Sequence, residues 1–404
     1  MLVDNNLAWD SRVRMESETL AEMGLELTII GRGEDIPADI KEAPYELVLE
    51  QPQYHGRPLL SRWGHENIWY PIRVCANLTV TRYRTKRYNT ESLKHSSLPA
   101  EVSRPDMEVA GLRYNPDIVH CQDLDTLWAG YQISKRCGAL LVYDSNELYL
   151  EWDYLPKDLY KPYAQVEAQV FPHLSALITV SPQIGHSLIT KYDSDLIPII
   201  IYNAGSEVSV SAKPVSDPVR LFFQGHFMQN RNNVELICAM QYLRGKATLT
   251  LQGWGPDEEE YRRTITELAL EDTVSIIPPV PPAEVVTSAN NYDIGVINYR
   301  PLTEHLRQTL PNKLFDYMCG GLAIAATSLP SSKDLIEKSG CGITYDQKGA
   351  EHTAQALEAL ISDPQRVQRM KQASLALAPK YAWPAQAQKL ETLYRQLIEQ
   401  IKAR

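Results

Sequence analysis

The chain has 404 residues, of which 44% are hydrophobic and 22% charged, and its formal net charge is −10. This composition is typical of a globular protein, and the length predicts two domains. The acidic balance argues against electrostatic binding of nucleic acid, which needs a basic surface.

Three further features bear on the compartment. No apolar run reaches the roughly 18 residues that a membrane-spanning helix needs, and no secretory signal is visible. The six cysteines form no Cys-x-x-Cys pair, and several lie in apolar runs. We therefore expect reduced, mostly buried cysteines and a cytoplasmic protein.

Apolar runs of strand length alternate with helical patterns along the chain. Such alternation predicts βαβ units and parallel sheets that are covered on both faces, and it occurs twice. The predicted strands are residues 25–30, 118–121, 140–143, 176–180 and 197–201 in the first half, and 219–223, 247–251, 274–277, 294–297 and 322–326 in the second.

The first helical pattern runs from Asp10 to Gly24. Asp10 precedes it as an N-cap and Gly24 ends it, which by itself explains most of the pattern. The loop before it contains Asn6 and follows a stub of a strand at residues 2–3. Because open α/β sheets bind ligands beyond the carboxyl ends of their strands, this loop is expected to line a site.

Two later strands of the first half also end in polar side chains. His120, Gln122 and Asp123 follow one strand, and Asn146 and Glu147 follow the next. They are candidates for a binding site at that end of the sheet. The structural alternative is that His120 is a satisfied core residue and that the others cap helices.

A segment rich in Ser, Pro and Gly, residues 203–218, is typical of a linker. We therefore predict an N-terminal domain over residues 1–205, a second domain over residues 206–380, and a terminal amphipathic helix over residues 381–404.

The second domain begins with a strand that leads into a glycine-containing loop. Gly225 permits close approach of the backbone to a ligand. Arg231 lies near the start of the next helix, where a guanidinium group could hold a diphosphate at two points. A solvated loop arginine is the structural alternative.

Residues 310–326 predict a helix followed by a buried strand. Pro311 is placed where a helix begins, and Gly320 where it ends. Lys313 and Asp316 lie near the helix start, and the free N–H groups of a helix N-terminus can hold phosphate. This helix therefore indicates a nucleotide site.

No zinc motif, nucleophile elbow or P-loop is present, and the N-terminal loop lacks the Gly-x-Gly-x-x-Gly pattern. A basic and aromatic stretch at residues 81–88 could meet anionic lipid headgroups or a phosphorylated acceptor, although a solvated loop or helix face is the simpler explanation.

In this order, the motifs resemble the retaining glycosyltransferases of the GT-B type, specifically glycosyltransferase family 4. The resemblance covers nearly the whole chain. Its motifs include Pro-Asp-Ile-Val-His-x-x-Asp at residues 116–123, Asp-Ser-x-Glu-Leu-Tyr at 144–149, Gln-Gly at 224–225 with Arg231, and Leu-Pro-Asn-Lys-Leu-Phe-Asp-Tyr-Met at 310–318.

The resemblance implies an α/β protein of the GT-B fold, with two doubly wound Rossmann-like domains facing across a cleft and a nucleoside-diphosphate sugar held mainly by the second. It assigns the leaving-group charge to Arg231 and Lys313, and the donor ribose to Asp316. The implied donor-binding set is Gly225, Arg231, Gln308, Leu310, Pro311, Asn312, Lys313 and Asp316. Asp123 joins Arg231 and Lys313 as a catalytic candidate, and the acceptor side comprises Asn6, Asp10, His120, Gln122, Asn146 and Glu147.

The chain departs from the family pattern at three positions. Gln308 stands where the first acid of the family's Glu-x7-Glu motif is expected, and Gln122 and Asn146 stand where the family often has histidine. An amide cannot act as a general base, so no histidine relay is proposed at those two positions.

The sequence thus predicts a hexosyltransferase that uses a UDP-, GDP- or ADP-sugar, with no metal or other cofactor, and a glycan, lipid-linked or small-molecule acceptor, as in polysaccharide biosynthesis. It would be cytoplasmic, with peripheral contact to the inner membrane face through residues 81–88. The alternatives are a nucleotide-sugar epimerase of the same architecture, for which no convincing acid/base pair is visible, and a non-catalytic binding protein, which the three amides favour.

Overall fold

The computed structural model describes residues 2–3, 11–32, 43–50, 77–79, 98–152, 155–203 and 210–404. Asn6, Asp10, Cys75 and the basic residues 81–88 lie outside these ranges. The chain divides into two compact units, the first comprising residues 1–201 with 387–404 and the second residues 202–386.

The first unit contains two mainly parallel sheets. One has the order β1-β2-β3, and the other has the order β4-β5-β6-β7-β8, in which β4 is antiparallel to β5. The strands are β1 (Leu2–Val3), β2 (Thr28–Arg32), β3 (Glu46–Glu50), β4 (Asn77–Thr79), β5 (Ile118–Gln122), β6 (Leu140–Ser145), β7 (Ala176–Thr179) and β8 (Ile199–Ile200). The helices are α1 (Ser11–Glu22), α2 (Ala100–Ser103), α3 (Pro105–Leu112), α4 (Leu124–Cys137), α5 (Lys157–Val170) and α6 (Pro182–Tyr192).

The second unit contains one parallel six-stranded sheet. Its strands are β9 (Val219–His226), β10 (Ala247–Trp254), β11 (Val274–Ile277), β12 (Ile294–Ile297), β13 (Ala323–Thr327) and β14 (Gly342–Tyr345). Its helices are α7 (Asn233–Ala239), α8 (Glu258–Glu267), α9 (Val285–Ala289), α10 (Glu304–Gln308), α11 (Asn312–Cys319), α12 (Pro330–Ser339), α13 (Ala350–Ile361) and α14 (Pro364–Tyr381), and α15 (Trp383–Lys402) ends the chain.

The strand order of this sheet is β11-β10-β9-β12-β13-β14. Counted within the unit, that is 3-2-1-4-5-6, the doubly wound order of dinucleotide-binding folds. The order reverses between β9 and β12, and ligands of such sheets bind in the crevice beyond the strand ends at that point. The topology therefore locates a candidate site after His226 and Ile297.

The sheet of the second unit is built mainly from the apolar runs that the sequence indicates. Leu221, Phe222 and Phe223 of β9 are fully buried, as are Ala323 to Ala326 of β13. A strand covered on both faces reads as a continuous apolar run, which is why these elements are visible in the sequence. Of the five cysteines in the described residues, Cys121, Cys319 and Cys341 are buried and Cys137 and Cys238 partly exposed, and none forms a disulfide.

Several predicted boundaries were wrong. The strand predicted at 25–30 lies at Thr28–Arg32, and the strand predicted at 197–201 is reduced to Ile199–Ile200. The helix predicted to start at Pro311 begins at Asn312, since Pro311 is extended (φ −62°, ψ 136°) and occupies the N-cap position. Strands β3, β4 and β14 were not predicted, because they are short or carry polar residues.

Among the described residues, no helix combines the length and apolar character that crossing a membrane requires.

Candidate functional site

Two cationic side chains meet at the reversal point of the second unit. Arg231 follows β9, and its guanidinium carbon lies 4.1 Å from the centre of the Tyr299 ring. Lys313, on α11, donates from Nζ to Tyr299 Oη at 2.9 Å, and its Nζ also lies 4.8 Å from the Phe223 ring. Tyr299 follows β12, so the strands on both sides of the reversal contribute to one cluster.

The ammonium group of Lys313 is buried, with only 7% of the residue exposed. Burial lowers its pKa, as does the charge of Arg231, whereas Tyr299 and Asp316 act in the opposite direction. Within the part of the chain that the structure describes, neither Lys313 nor Arg231 forms an ion pair with a carboxylate. A buried ammonium group next to a half-buried guanidinium group, without such a pair, is costly, and an anionic ligand would relieve that cost.

Gly225 lies at the end of β9, directly against this cluster. Its φ of +126° is in the region that favours glycine, and a Cβ there would lie 3.5 Å from Lys313 Nζ. The backbone therefore passes close to the lysine side chain.

Asp316, one turn into α11, is held by a residue of β9. Gln224 donates from Nε2 to Asp316 Oδ2 at 2.9 Å, and the Gln224 backbone N–H donates to Tyr317 Oη at 3.1 Å. The carboxylate is thereby fixed close enough to Lys313 to raise the pKa of the lysine, and Asp316 remains partly exposed. A fixed, partly exposed carboxylate can accept hydrogen bonds from ligand hydroxyl groups.

The segment before α11 holds the remaining predicted residues. Leu310 and Pro311 are buried, and Asn312 is half-buried at the start of the helix. Gln308 ends α10 and donates from Nε2 to Glu304 Oε1 at 2.6 Å. A carboxylate therefore lies one helical turn before position 308.

Several buried polar atoms at this strand end have no hydrogen-bond partner among the described residues. They are Gln224 Oε1, Asn230 Oδ1, Arg231 Nε and Asn232 Nδ2. Buried polar groups are normally satisfied, so a cluster of such atoms marks a place where ligand or water completes the hydrogen bonding.

His226 lies at the end of β9 and packs against Trp254, with 5.5 Å between ring centroids. Burial lowers its pKa to about 4, and Arg231 and Lys313 contribute to the same shift. The imidazole is therefore neutral near pH 7, and the positive charge of this site comes from Arg231 and Lys313.

In the first unit, the predicted His120 belongs to a buried polar network. His120 is fully buried, and its Nδ1 lies 2.8 Å from Tyr394 Oη on α15. Its Nε2 lies 3.6 Å from Asp144 Oδ2. Arg12 of α1 donates from Nη2 to the same Asp144 oxygen at 2.8 Å and from Nη1 to Ile201 O at 2.9 Å.

The two amides that replace histidines in the family pattern continue this network. Asn146 donates from Nδ2 to Gln122 Oε1 at 2.7 Å, and Gln122 donates to Glu16. Glu16 in turn pairs with Arg12 Nε at 2.9 Å. The side chains of Gln122 and His120 have no exposed surface. Asn146, at the end of this series of hydrogen bonds, is partly exposed.

Asp123 has an unusual backbone conformation, with φ 57° and ψ 171°, in a region that is essentially confined to glycine. Its side chain accepts from the Asn146 N–H at 3.0 Å and does not cap α4, which was the structural alternative. Burial raises the pKa of Asp123 well above its usual value, and Glu147, Asp125 and Asp144 reinforce the shift. Strain and a raised pKa are both typical of functional carboxyl groups.

Glu147 is half-buried, and its backbone carbonyl accepts from Ser145 Oγ at 2.8 Å. It lies close enough to Asp123 to act on its pKa. The structure therefore brings together His120, Gln122, Asp123, Asn146 and Glu147 at the ends of β5 and β6.

Among the described residues, Glu16, His120 and Asp144 are grouped closely enough to hold a metal ion, with ligand atoms within 4.8 Å of one another. The guanidinium group of Arg12 already donates to both carboxylates. Arg12 and His120 offset the effect of burial and bring the pKa of Asp144 to about 2.

The burial of His120 leads to a prediction about stability at acidic pH. Burial lowers the pKa of His120, so the folded protein keeps it neutral while the unfolded chain protonates it below about pH 6.5. The unfolded state then binds more protons, and the free energy of unfolding should fall between pH 7 and pH 5, by at most about 1.4 kcal/mol per pH unit from this residue.

Denaturant unfolding of wild type and His120→Gln at pH 7 and pH 5 measures this effect. The variant should lose less stability over this interval, because glutamine keeps a hydrogen bond to Tyr394 but does not titrate. His226, which is also held neutral, remains in both proteins and cancels in the difference. Equal losses in the two proteins would show that His120 is not the titrating group.

Tyr299, Gln224 and Tyr394 make close contacts in these sites but were not among the predicted site residues. The strand-end rule that selected Gly225 also applies to Tyr299, which comes just after β12, but the order of the strands is not visible in the sequence. Gln224 directly precedes Gly225 and belongs to the Gln-Gly motif at residues 224–225. No local signal distinguishes Tyr394 from other apolar positions of its amphipathic helix.

Comparison with known proteins is consistent with this geometry. Residues 218–363 match the family model described as Glycosyl transferases group 1, and this stretch contains Gly225, Arg231, Lys313 and Asp316. A D-inositol 3-phosphate glycosyltransferase from Corynebacterium aurimucosum is 21% identical in a match that covers 56% of this chain and 58% of that protein. The chain thus matches little more than half of that relative's length.

Solved structures of similar fold cover nearly the whole chain. A sucrose-phosphate synthase from Thermosynechococcus elongatus has a TM-score of 0.68, 18% identity, and coverage of 96% of this chain and 92% of that one. HepE from Anabaena, solved with UDP-glucose, has a TM-score of 0.69, 13% identity and 98% coverage of both chains.

The fold and the strand-end site define an α/β protein of the GT-B type with two Rossmann-like domains, which confirms the predicted fold class. Residues 218–363 of its second unit match the model of group 1 glycosyl transferases, which confirms the resemblance to this group inferred from the motifs.

Proposed function

We propose that the protein is a retaining glycosyltransferase that moves a hexosyl group from a nucleoside-diphosphate sugar to a glycan, lipid-linked or small-molecule acceptor. The observation that carries this proposal is the pair of cations at the point where the strand order reverses in the sheet of the second unit. Arg231 and Lys313 converge on Tyr299 without a carboxylate ion pair among the described residues. A diphosphate supplies the anion that this arrangement lacks.

The chemistry follows from the charges. When the bond between the sugar C1 and the diphosphate oxygen breaks, negative charge grows on the departing diphosphate, and fixed cations stabilise that charge most where water is excluded. Arg231 and Lys313 are proposed to do this together with the N–H groups at the start of α11, so that no metal or further cofactor is required. Asp316, fixed by Gln224, is proposed to accept from the donor ribose.

The acceptor is assigned to first-unit residues around Asp123. In a retaining transfer without a covalent intermediate, the acceptor oxygen must lie on the face that the diphosphate leaves, so positioning contributes much of the rate. Burial raises the pKa of Asp123, so its carboxyl group binds a proton more readily than a free aspartate, which suits a group that exchanges a proton with the acceptor. Asn146 and Glu147 would orient the acceptor, with Asn146 fixed through Gln122.

The relatives suggest which donor to test first. HepE was solved with UDP, with UDP and glucose, and with UDP-glucose, so UDP-glucose leads the panel. The full panel comprises UDP-, GDP- and ADP-sugars, with soluble glycans, small polyols and lipid-linked acceptors in anionic vesicles. We also propose that the protein is cytoplasmic and contacts the membrane through residues 81–88, and the assay with anionic vesicles tests this membrane contact.

We expect one donor to give nucleotide release that depends on an acceptor, is unchanged by EDTA, and yields a product whose anomeric configuration, read by NMR, equals that of the donor. Arg231→Ala and Asp316→Ala should each lower this activity by at least tenfold. Arg262→Ala, an exposed arginine of α8 paired with Glu258, is the matched control and should retain wild-type activity.

The possible outcomes separate the candidate functions. If no nucleotide binds, and Arg231→Ala and Asp316→Ala have no effect, the proposal is wrong. Binding of a donor without turnover across the whole acceptor panel would indicate the non-catalytic alternative, which is favoured by the engagement of Gln308 with Glu304. Conversion of the donor with no acceptor present would indicate an epimerase.

A further inference from the structure

The segment that follows β12, Asn298-Tyr299-Arg300, forms hydrogen bonds to the loop that carries Arg231. On one side of Arg231, the Arg300 N–H donates to Asn230 O at 3.0 Å. On the other side, Asn298 Nδ2 donates to Asn232 O at 2.7 Å. Both contacts are to backbone carbonyls, so they fix the path of the loop whatever its side chains do.

Tyr299 lies between these two hydrogen-bonding residues, and 4% of its surface is exposed. Its N–H donates to Thr327 Oγ1 at 3.1 Å, which ties it to the end of the next strand. Its ring lies under the Arg231 guanidinium at 4.1 Å, and its hydroxyl accepts from Lys313 Nζ at 2.9 Å. One aromatic side chain therefore contacts both cations.

This placement matters because the two cations repel each other. The charge of Arg231 disfavours the ammonium form of Lys313, and burial disfavours it further. Tyr299 and Asp316 act in the opposite direction. The hydroxyl and the electron-rich ring face of Tyr299 contribute because each interacts more strongly with a charged amine than with a neutral one. Without them, the site would be less positive and the cations less well placed.

We propose that Tyr299 is a positioning residue for diphosphate binding, which sets the separation of Arg231 and Lys313 and holds Lys313 charged. Tyr299 acts through these two residues and is not assigned a contact with the diphosphate. The inference rests on the proposed function, and the experiment below distinguishes failure of the one from failure of the other.

The test measures binding by calorimetry, between pH 6 and pH 9, of whichever of UDP, GDP and ADP the wild type binds most tightly. Tyr299→Phe keeps the ring under Arg231 but removes the acceptor for Lys313. We expect a loss of affinity of about tenfold near pH 7, the size expected for one hydrogen bond to a charged group. The decline of affinity with rising pH should also begin at a lower pH than in wild type, because Lys313 loses its proton more readily.

Tyr299→Leu removes the ring as well and should bind more weakly than Tyr299→Phe by a further factor of about five. Tyr163→Phe is the matched control: Tyr163 is fully buried in the first unit and donates to Glu101 O at 3.1 Å. It should leave both the affinity and its pH profile unchanged.

A residue that served folding alone would change thermal stability in Tyr299→Phe but would not move the pH profile. If Arg231→Ala weakens binding while Tyr299→Phe binds like wild type at every pH, the positioning role is wrong and the proposed function stands. If the wild type binds none of the three nucleotides, both proposals fail.

Discussion

Replacing Lys313 by methionine is expected to lower kcat/KM for sugar transfer by about 10²- to 10³-fold, which is the usual cost of removing one preorganised group that stabilises developing charge. The same change should leave the free energy of unfolding unchanged or raise it. Methionine fills a similar volume against Phe223 and Tyr299, and the variant no longer has to desolvate an ammonium group next to Arg231. Activity and stability should therefore move in opposite directions.

Initial rates with the donor identified above, together with denaturant unfolding of the same preparations, measure both quantities. Lys333→Met, an exposed lysine on α12, is the matched control and should change neither. Lys313→Arg tests whether charge alone suffices. Gly225 leaves little space beside Nζ, so a guanidinium group should restore only part of the rate. Near-wild-type activity in Lys313→Met would remove this lysine from the leaving-group site.

The sequence alone selected Arg231, Lys313 and Asp316 as candidates for the second-unit site, but it did not predict their arrangement. Arg231, Lys313 and Asp316 were each selected because they lie near a strand end or a helix start. Their proximity depends on β9 and β12 being neighbours in the sheet, and that order is set by how the helices pack between strands far apart in the chain. Tyr299 was missed for the same reason, because its contacts with Arg231 and Lys313 arise only in the folded structure.

The first-unit site shows a different limit. His120 and Gln122 were expected to face an acceptor because they end a strand, yet both side chains lie under α1 and α15 with no exposed surface. Alternation along β5 places them on one face, but which helix covers that face is decided by tertiary packing. The strained backbone of Asp123 is equally invisible in the sequence, because aspartate has no intrinsic preference for that conformation.

The fold was easier to predict than the site, because many separate apolar runs indicate the same architecture. Ten apolar runs were expected to be strands, and each overlaps a strand of the structure. The unpredicted β14 contains Gly342, where a Cβ would lie 2.1 Å from Ile324 O, so the residue that permits close packing there also weakens the sequence signal for a strand. At such positions the local propensity disfavours a strand while the tertiary packing favours one, and the packing determines the structure.

The largest effect on stability is expected from Lys371→Met in α14, which should lower the free energy of unfolding by about 3–5 kcal/mol. Lys371 Nζ donates to Asp293 Oδ1 at 2.8 Å and to Tyr292 O at 3.2 Å, and the two side chains of the pair are 1% and 2% exposed. Asp293 Oδ2 also accepts from the backbone N–H groups of Ser216 and Arg220. The ion pair therefore joins α14 to the beginning of the central strands.

The cost arises because methionine leaves the buried Asp293 carboxylate without its cation, and two backbone N–H groups do not replace a full positive charge. The double variant Lys371→Met/Asp293→Asn should recover much of the loss, since asparagine still accepts from those N–H groups and carries no charge to desolvate. Lys338→Met, from the exposed Lys338–Asp334 pair, is the matched control and should unfold at the wild-type denaturant concentration, because exposed pairs contribute little. If the double variant were no more stable than Lys371→Met, the loss would come from lost packing of the lysine chain rather than from an unpaired charge, and the electrostatic account of this contact would be wrong.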